Sequence, residues 1–163
     1  MSESIHIRDA TPSDIDLILR FIRELAEYEK LGHQVVATVA DLRESLFGKR
    51  PVAECVIAEV AGKAVGFALF FHNFSTFLGR PGLYLEDLYV TPGHRGRGVG
   101  RRLLAHLAKL ALLRGCGRFE WAVLDWNEPA IRFYRDLGAQ MLEDWRINRV
   151  TGDALAKLAA EAG

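Results

Sequence analysis

A glycine-rich segment, Arg95-Gly96-Arg97-Gly98-Val99-Gly100, lies between a strand-like run and a helical pattern. Glycine removes the Cβ atoms that would keep consecutive backbone N–H groups from closing around an anion. The start of the following helix adds unpaired N–H groups and the positive end of its dipole. Arg101 and Arg102 extend a run of basic side chains suited to phosphate oxygens. The segment therefore predicts a phosphate-binding loop; the alternative is a tight turn whose arginines are solvated.

The spacing of these glycines differs from two common nucleotide-binding motifs. Arg101 occupies the position of the third glycine in GxGxxG, and the segment lacks the Gly-Lys-Ser/Thr ending of a P-loop. Neither a dinucleotide-dependent dehydrogenase nor an NTPase is favoured.

Length and composition limit the remaining classes of function. The 163 residues, half of them hydrophobic, suffice for one core, which predicts a single domain over residues 1–163. The 21 basic and 21 acidic residues balance, so we expect neither a nucleic-acid nor a membrane partner. Cys55, Cys116 and the histidines lack ligand spacing, so we expect no metal. A leader-like N-terminus and a membrane-length apolar run are lacking, which predicts a cytoplasmic protein.

Hydrophobic periodicity predicts the elements that position the loop. The predicted strands are 5–8, a hairpin over 56–71 with its turn at 61–63, 83–90, 119–124, and a last pair at 141–142 and 145–147. The predicted helices run from the cap at 11–14 to about Tyr28, from Thr38 to Gly48, from the glycine-rich loop to about Arg114, from Asn127 to Leu137, and over 151–162. Residues 72–82 are expected to form a loop. This order predicts an α/β or α+β sandwich with a mixed sheet covered by helices.

The glycine-rich segment resembles the Arg/Gln-x-x-Gly-x-Gly/Ala signature of the GCN5-related N-acetyltransferases, the GNAT superfamily. The likeness is closer still to the diamine acetyltransferase branch, whose members act on spermidine, spermine or thialysine. It spans almost the entire chain, through residues 22–29, 84–87, the loop itself, 124–129 and 134–138.

This resemblance implies a fold, a coenzyme and a set of site residues. It implies a central mixed sheet of about six to seven strands flanked by helices on both faces, acetyl-CoA as acetyl donor, and a homodimer. The implied coenzyme contacts are Leu88, Tyr89, Val90, Arg95, Gly96, Arg97, Gly98, Val99, Gly100, Arg101, Asn127, Glu128, Pro129 and Ala130. It also implies that Tyr28, Glu29 and Glu86 meet the acceptor amine, and that Tyr134 is the general acid.

Acetylation of an amine requires a proton acceptor. A lysine-like amine with a pKa near ~10.4 is a free base in only about one molecule in 2500 at pH 7. Glu86 and Asp87 are adjacent on a predicted strand, so they should face opposite sides of the sheet. We expect Glu86 to accept the proton, directly or through water.

The remaining steps need an oxyanion donor and an acid. A strand N–H near Leu88 could stabilise the oxyanion formed from the thioester. Tyr134 could protonate the departing thiolate, because a tyrosine with an ordinary pKa near ~10 is neutral at pH 7. No covalent acyl-enzyme is required. Without the resemblance, the acidic pair would be interpreted as salt-bridged or solvated and the tyrosine as a packing residue.

The acceptor is predicted from charge and from one loop. An acidic patch of Glu27, Glu29 and Glu86 would suit a cation. Residues 73–79 lack the Asp-Pro pair of the polyamine-acetylating members and look more like the thialysine-acetylating ones. Thialysine or a short diamine is therefore the first hypothesis, ahead of spermidine. Two alternatives stay open: acetylation of a protein or peptide amine, and an inactive module that senses acetyl-CoA.

Overall fold

The computed structural model describes residues 3–163, which divide into two compact units. The first unit ends at Leu124 and the second runs from Asp125 to Gly163. The first contains the strands β1 (Ile5–Asp9), β2 (Glu54–Val60), β3 (Lys63–Ser75), β4 (Arg80–Val90) and β5 (Phe119–Trp121), and the helices α1 (Ile15–Tyr28), α2 (Val39–Phe47) and α3 (Val99–Leu113). The second contains the helices α4 (Glu128–Asp136) and α5 (Gly152–Ala160).

The five strands form one mixed sheet in the order β1-β2-β3-β4-β5. Neighbouring strands from β1 to β4 are antiparallel, whereas β4 and β5 are parallel and joined through α3. A parallel pair needs such a crossover, because its second strand must start at the same end of the sheet as the first. The predicted mixed sheet is confirmed.

Helix α1 forms because its sequence combines a start signal with an apolar stripe. The Asp14 carboxylate accepts a hydrogen bond of 2.8 Å from the backbone N–H of Thr11. Two guanidinium nitrogens of Arg8 also donate to that carboxylate, at 2.8 and 2.9 Å. The buried stripe that follows consists of Ile15, Ile18, Leu19, Phe21 and Leu25.

Helices cover both faces of the sheet, as predicted. The α1 stripe packs in one cluster with Cys55, Ile57, Phe67, Leu69 and Tyr89. The residues that alternate with these along β2 and β3 are fully buried as well, and α3 contacts β1 to β4. Since side chains alternate between the two faces of a strand, the second set lies under the opposite helical layer. The core is therefore two apolar layers with the sheet between them.

The sheet formed by residues 3–163 has five strands, fewer than the six to seven that the resemblance implies. The expected last pair at 141–142 and 145–147 is not a strand pair; the Trp145 N–H instead donates to the Leu142 carbonyl in a turn. An alternating apolar pattern suits a strand, but a strand also needs a hydrogen-bonded neighbour. Within the described residues, this segment has none.

The predicted loop over 72–82 is also wrong. β3 continues to Ser75 and β4 begins at Arg80, with these two residues paired across a tight turn. Gly79, in the left-handed region at φ 63°, belongs to that turn. The polar composition of the segment resembles a loop, but the ladder of backbone bonds continues through it.

Among residues 3–163, no helix is both long and apolar enough to span a bilayer.

Candidate active site

The glycine-rich loop has the backbone conformation that an anion-binding turn requires. Gly96 and Gly98 lie in the left-handed region, at φ 73° and 85°, and Gly98 is the N-cap of α3. A Cβ at either position would meet no atom within 4 Å, so conformation and not crowding requires glycine there. Val99 and Gly100 already belong to the helix. The first free N–H groups of a 15-residue helix therefore face the loop.

The charges around this helix start are basic. The first turn of α3 contains no acidic residue, and Arg101 and Arg102 are both exposed. Arg97 is exposed too and lies 3.9 Å from the Glu3 carboxylate, a separation at which a surface pair contributes little. These arginines remain accessible to a phosphate group.

Arg95 is placed differently from the other arginines of the loop. Its Nε atom donates a 2.9 Å hydrogen bond to the backbone carbonyl of Val90. Its guanidinium lies over the rings of Tyr28 and Tyr89, with centroid distances of 4.9 and 5.6 Å. The side chain thus contacts the end of α1 as well as β4.

One edge of β4 is uncovered near the loop. β5 pairs with Leu83–Leu85 alone, so within the described residues Glu86–Val90 has a strand partner only in β3. The Thr91 N–H donates to the Val65 carbonyl of the β3 side at 2.8 Å. Because bonding direction alternates along an antiparallel strand, the backbone groups of Leu88 and Val90 are directed to the uncovered edge. The Val90 carbonyl already accepts from Arg95, so the N–H of Val90 and both backbone groups of Leu88 are the ones that could bond a ligand.

A β-bulge interrupts β4 at Glu86. Leu85 pairs with Phe70 and Asp87 pairs with Leu69, so Glu86 has no opposite residue in β3. The expectation that adjacent residues face opposite sides of the sheet rests on a regular strand and does not apply at a bulge. Glu86 is exposed, whereas Asp87 is partly buried.

Asp87 and Glu29 are carboxylates in an unfavourable environment. Burial raises the pKa of Asp87 to about 6, and the negative charges of Glu86 and Glu29 contribute to that rise. Burial likewise raises the pKa of Glu29, the residue that follows the end of α1. Within the described residues, neither carboxylate forms a salt bridge or a hydrogen bond. Among residues 3–163, no cation offsets the rise in the pKa of Asp87, and the ammonium group of a ligand would do so.

Asp87 is a candidate site residue that the sequence interpretation did not select. The interpretation selected one member of the Glu86–Asp87 pair by strand alternation, and the bulge breaks that alternation. A bulge at this point has no glycine or other marker in the sequence. The adjacent carboxyl pair itself was the available signal.

The second unit holds the other predicted site residues. The Asn127 side chain accepts a hydrogen bond of 3.4 Å from the Ala130 N–H and caps α4, whose first turn includes Glu128 and Pro129. Tyr134 lies in the second half of this helix and is partly buried. The predicted cap is confirmed, while the roles of these residues stay predictions.

Among residues 3–163, no group of three or more His, Cys, Asp or Glu side chains could hold a metal ion.

The fold and this loop define a class of protein. The model of the acetyltransferase (GNAT) family matches residues 20–139, and the chain belongs to that family. The match includes the glycine-rich loop, β4 and α4. The chain is therefore an N-acetyltransferase.

Particular relatives agree with the predicted branch. The chain is 43% identical over 167 residues to the thialysine N-epsilon-acetyltransferase of Mus musculus, with 96% of this chain and 98% of that protein covered. It is 34% identical over 194 residues to an L-ornithine N5-acetyltransferase of Arabidopsis thaliana, with 91% and 85% covered. A solved integron cassette protein of V. cholerae is 30% identical, with a TM-score of 0.79 and 98% of each chain covered.

Proposed function

We propose that this enzyme transfers the acetyl group of acetyl-CoA to the primary amine of a small cationic acceptor, by direct attack in a ternary complex. The acceptor would be a thialysine-like amine or a diamine or polyamine. The observation that carries the proposal is the left-handed glycine loop at the start of α3, beside an uncovered strand edge and uncompensated carboxylates. The names of the thialysine-acetylating relatives support the acceptor class.

The coenzyme is proposed to bind along the loop and β4. The pyrophosphate would accept hydrogen bonds from the N–H groups of residues 96–101, with Arg97 and Arg101 adding positive charge. The pantetheine arm would pair with the uncovered edge at Leu88–Val90, as a peptide adds to a sheet edge. Asn127, Glu128, Pro129 and Ala130 are proposed as further coenzyme contacts on the strength of the family resemblance.

The carboxylates of β4 are proposed to take the proton from the amine. Glu86 would accept it directly or through water, as the sequence predicts. Asp87 adds a second carboxylate, and its pKa of about 6 suits proton exchange near neutral pH. The free amine then attacks the thioester carbon, and the N–H of Leu88 stabilises the oxyanion. As the C–S bond breaks, Tyr134 gives the leaving thiolate a proton, the new amide nitrogen loses its surplus proton to solvent, and solvent reprotonates Tyr134.

The acceptor is proposed to bind at the end of α1. Tyr28 and Glu29 would contact it together with Glu86, and the uncompensated negative charge would favour a cation. The same charge disfavours an acceptor whose amine lies between acidic groups. Thialysine or a short diamine remains the first hypothesis, ahead of spermidine.

The proposed enzyme works as a single domain and as a homodimer. The family match runs continuously through residues 20–139 and so includes parts of both units. All residues from 140 to 163 are exposed in one copy of the chain, and Trp145 and Ile147 are each 79% exposed. A second copy of the chain could bury this apolar segment, in line with the dimer that the resemblance implies. A cytoplasmic location stays a prediction from the sequence.

One screen tests this function. Release of coenzyme thiol from acetyl-CoA is followed with thialysine, ornithine, putrescine, spermidine, lysine and a lysine-containing peptide, and coenzyme binding is measured by calorimetry. The proposal expects binding of acetyl-CoA and the highest kcat/KM with thialysine or a short diamine. Activity confined to the peptide would favour the protein acetyltransferase instead. Coenzyme binding without turnover on any amine would favour the inactive sensor.

A further inference from the structure

Arg95 links the glycine-rich loop to the end of α1 through contacts of a side chain that is itself exposed. Its Nε atom bonds the Val90 carbonyl at 2.9 Å, which fixes the direction of the side chain. Its Cζ atom lies 4.9 Å from the Tyr28 ring centroid and 5.6 Å from that of Tyr89. Both distances fall within the range of about 6 Å over which a cation is attracted to an aromatic face. The guanidinium is thus stacked on two rings from two different elements.

Tyr89 is the fixed member of this arrangement. The residue is 4% exposed and its ring packs against Phe21 and Phe67, with centroid distances of 5.5 and 6.5 Å. Its hydroxyl donates a 2.7 Å hydrogen bond to the Glu24 carboxylate. Burial and this acidic partner raise the pKa of Tyr89 to about 12, so the ring stays neutral at working pH. The guanidinium therefore rests on a rigid part of the core.

Tyr28 is the more exposed member. It is the last residue of α1, is 43% exposed, and is followed by Glu29 and by Lys30 in the left-handed region at φ 63°. The N–H groups of Lys30 and Leu31 donate to the carbonyls of Glu27 and Ala26 at 3.0 and 2.8 Å, so the backbone of this helix end is capped and the direction of the Tyr28 ring is left to side-chain contacts. The same helix end carries two residues proposed to meet the acceptor. A contact that ties Tyr28 to Tyr89 therefore orients the acceptor side of the site.

We propose that Arg95 is a positioning residue that holds the acceptor-binding end of α1 against the coenzyme-binding loop. The inference rests on the proposed function and concerns how one site is built from two elements. It differs from a role of Arg95 as a simple positive charge for phosphate. The two roles are separable, because lysine keeps the charge but has neither the planar face nor the Nε donor.

The first test is the steady-state kinetics of Arg95→Lys with thialysine and acetyl-CoA. Loss of a cation–π contact made by an exposed side chain should raise the KM for thialysine about three- to fivefold, with kcat and the KM for acetyl-CoA changed by less than about 1.5-fold. Arg43→Lys, at an exposed arginine of α2, is the matched control and should leave all three unchanged. A higher KM for acetyl-CoA with an unchanged KM for thialysine would overturn the inference in favour of the phosphate role.

The second test asks whether the effect passes through the ring of Tyr28. Tyr28→Phe keeps the ring and Tyr28→Leu removes it. Arg95→Lys should raise the KM for thialysine about three- to fivefold in the Phe background and less than about 1.5-fold in the Leu background. Equal effects in the two backgrounds would overturn the inference. Should Arg95→Lys unfold in a thermal melt, Arg95→Met replaces it in both backgrounds, with the same difference between them expected and equal effects again overturning the inference.

These outcomes are distinct from failure of the proposed function. A wild-type enzyme without turnover on any amine would overturn both proposals. A wild-type enzyme that acetylates thialysine, with Arg95→Lys equal to it in every parameter, would overturn the positioning role alone.

Discussion

Replacement of Asp87 by asparagine should make the protein more stable at neutral pH. The folded structure raises the pKa of this carboxyl from 3.8 to about 6, so its ionised form is favoured less in the folded state than in the unfolded state. At about 1.4 kcal/mol per pH unit, the difference amounts to about 3 kcal/mol as an upper limit. An asparagine side chain would have nearly the same shape without the charge. We expect Asp87→Asn to raise the free energy of unfolding at pH 7.5 by about 1–3 kcal/mol.

The difference in free energy of unfolding between Asp87→Asn and the wild type should change with pH in a defined direction. Because the folded-state pKa lies above the unfolded-state value, the folded protein binds more protons between pH 3.8 and about 6. The stability of the wild type therefore falls as pH rises through this window, and the advantage of Asp87→Asn grows in parallel. The advantage should approach zero near pH 4. The neighbouring charges are those of Glu29 and Glu86, so Glu86→Gln should lower the pKa of Asp87 and reduce the penalty.

The assay is urea unfolding at a series of pH values, with Asp14→Asn as a control of opposite sign. Hydrogen bonds from Arg8 lower the pKa of Asp14 to about 2, so this carboxylate stabilises the fold above pH 3.8 and loses that effect as pH falls toward 2. Asp14→Asn should therefore cost about 2 kcal/mol at pH 7.5. An Asp87→Asn variant that is less stable than the wild type at pH 7.5, or whose advantage does not change with pH, would refute the reasoning.

Three further predictions concern binding and turnover. Gly98→Ala should weaken acetyl-CoA binding about tenfold in calorimetry, since φ is 85° there, whereas Gly93→Ala, with open space and an ordinary φ, should bind as the wild type does. Tyr134→Phe should lower kcat at least about tenfold with little change in coenzyme affinity, and an unchanged kcat would remove the proposed acid. Glu29→Gln should raise the KM for thialysine but not that for acetyl-CoA; a rise in the second alone would place Glu29 outside the acceptor site.

Local signals were sufficient for most elements of the fold. The cap at Thr38, with Asp41 accepting a 2.8 Å bond from the Thr38 N–H, starts α2 where the sequence predicts it. The turn at Ala61 and Gly62, both in the left-handed region, joins β2 and β3 as expected. Such features depend on neighbours in the chain, so they can be predicted from spacing alone.

The secondary structure predicted from the sequence was wrong at two segments where pairing with another strand decides the outcome. The polar stretch around Asn73 continues as strand because its ladder partners, such as Gly82, are available. The alternating segment around Trp145 is not a strand, since the described residues offer it no neighbour. The composition of residues 72–82 also fits a loop, and that of residues 141–147 also fits a strand pair, so local sequence could not decide either one.

The sequence by itself determined the glycine-rich loop at a helix start, the family signature and the carboxyl-bearing strand, because these are properties of residue order and spacing. Only the tertiary structure decided that β4 is bulged at Glu86, that Asp87 is partly buried within the field of Glu29, and that Arg95 stacks on the end of α1. These features arise between residues far apart in the chain. Strand register and desolvation are set when those residues meet, and neither is encoded in any one local segment.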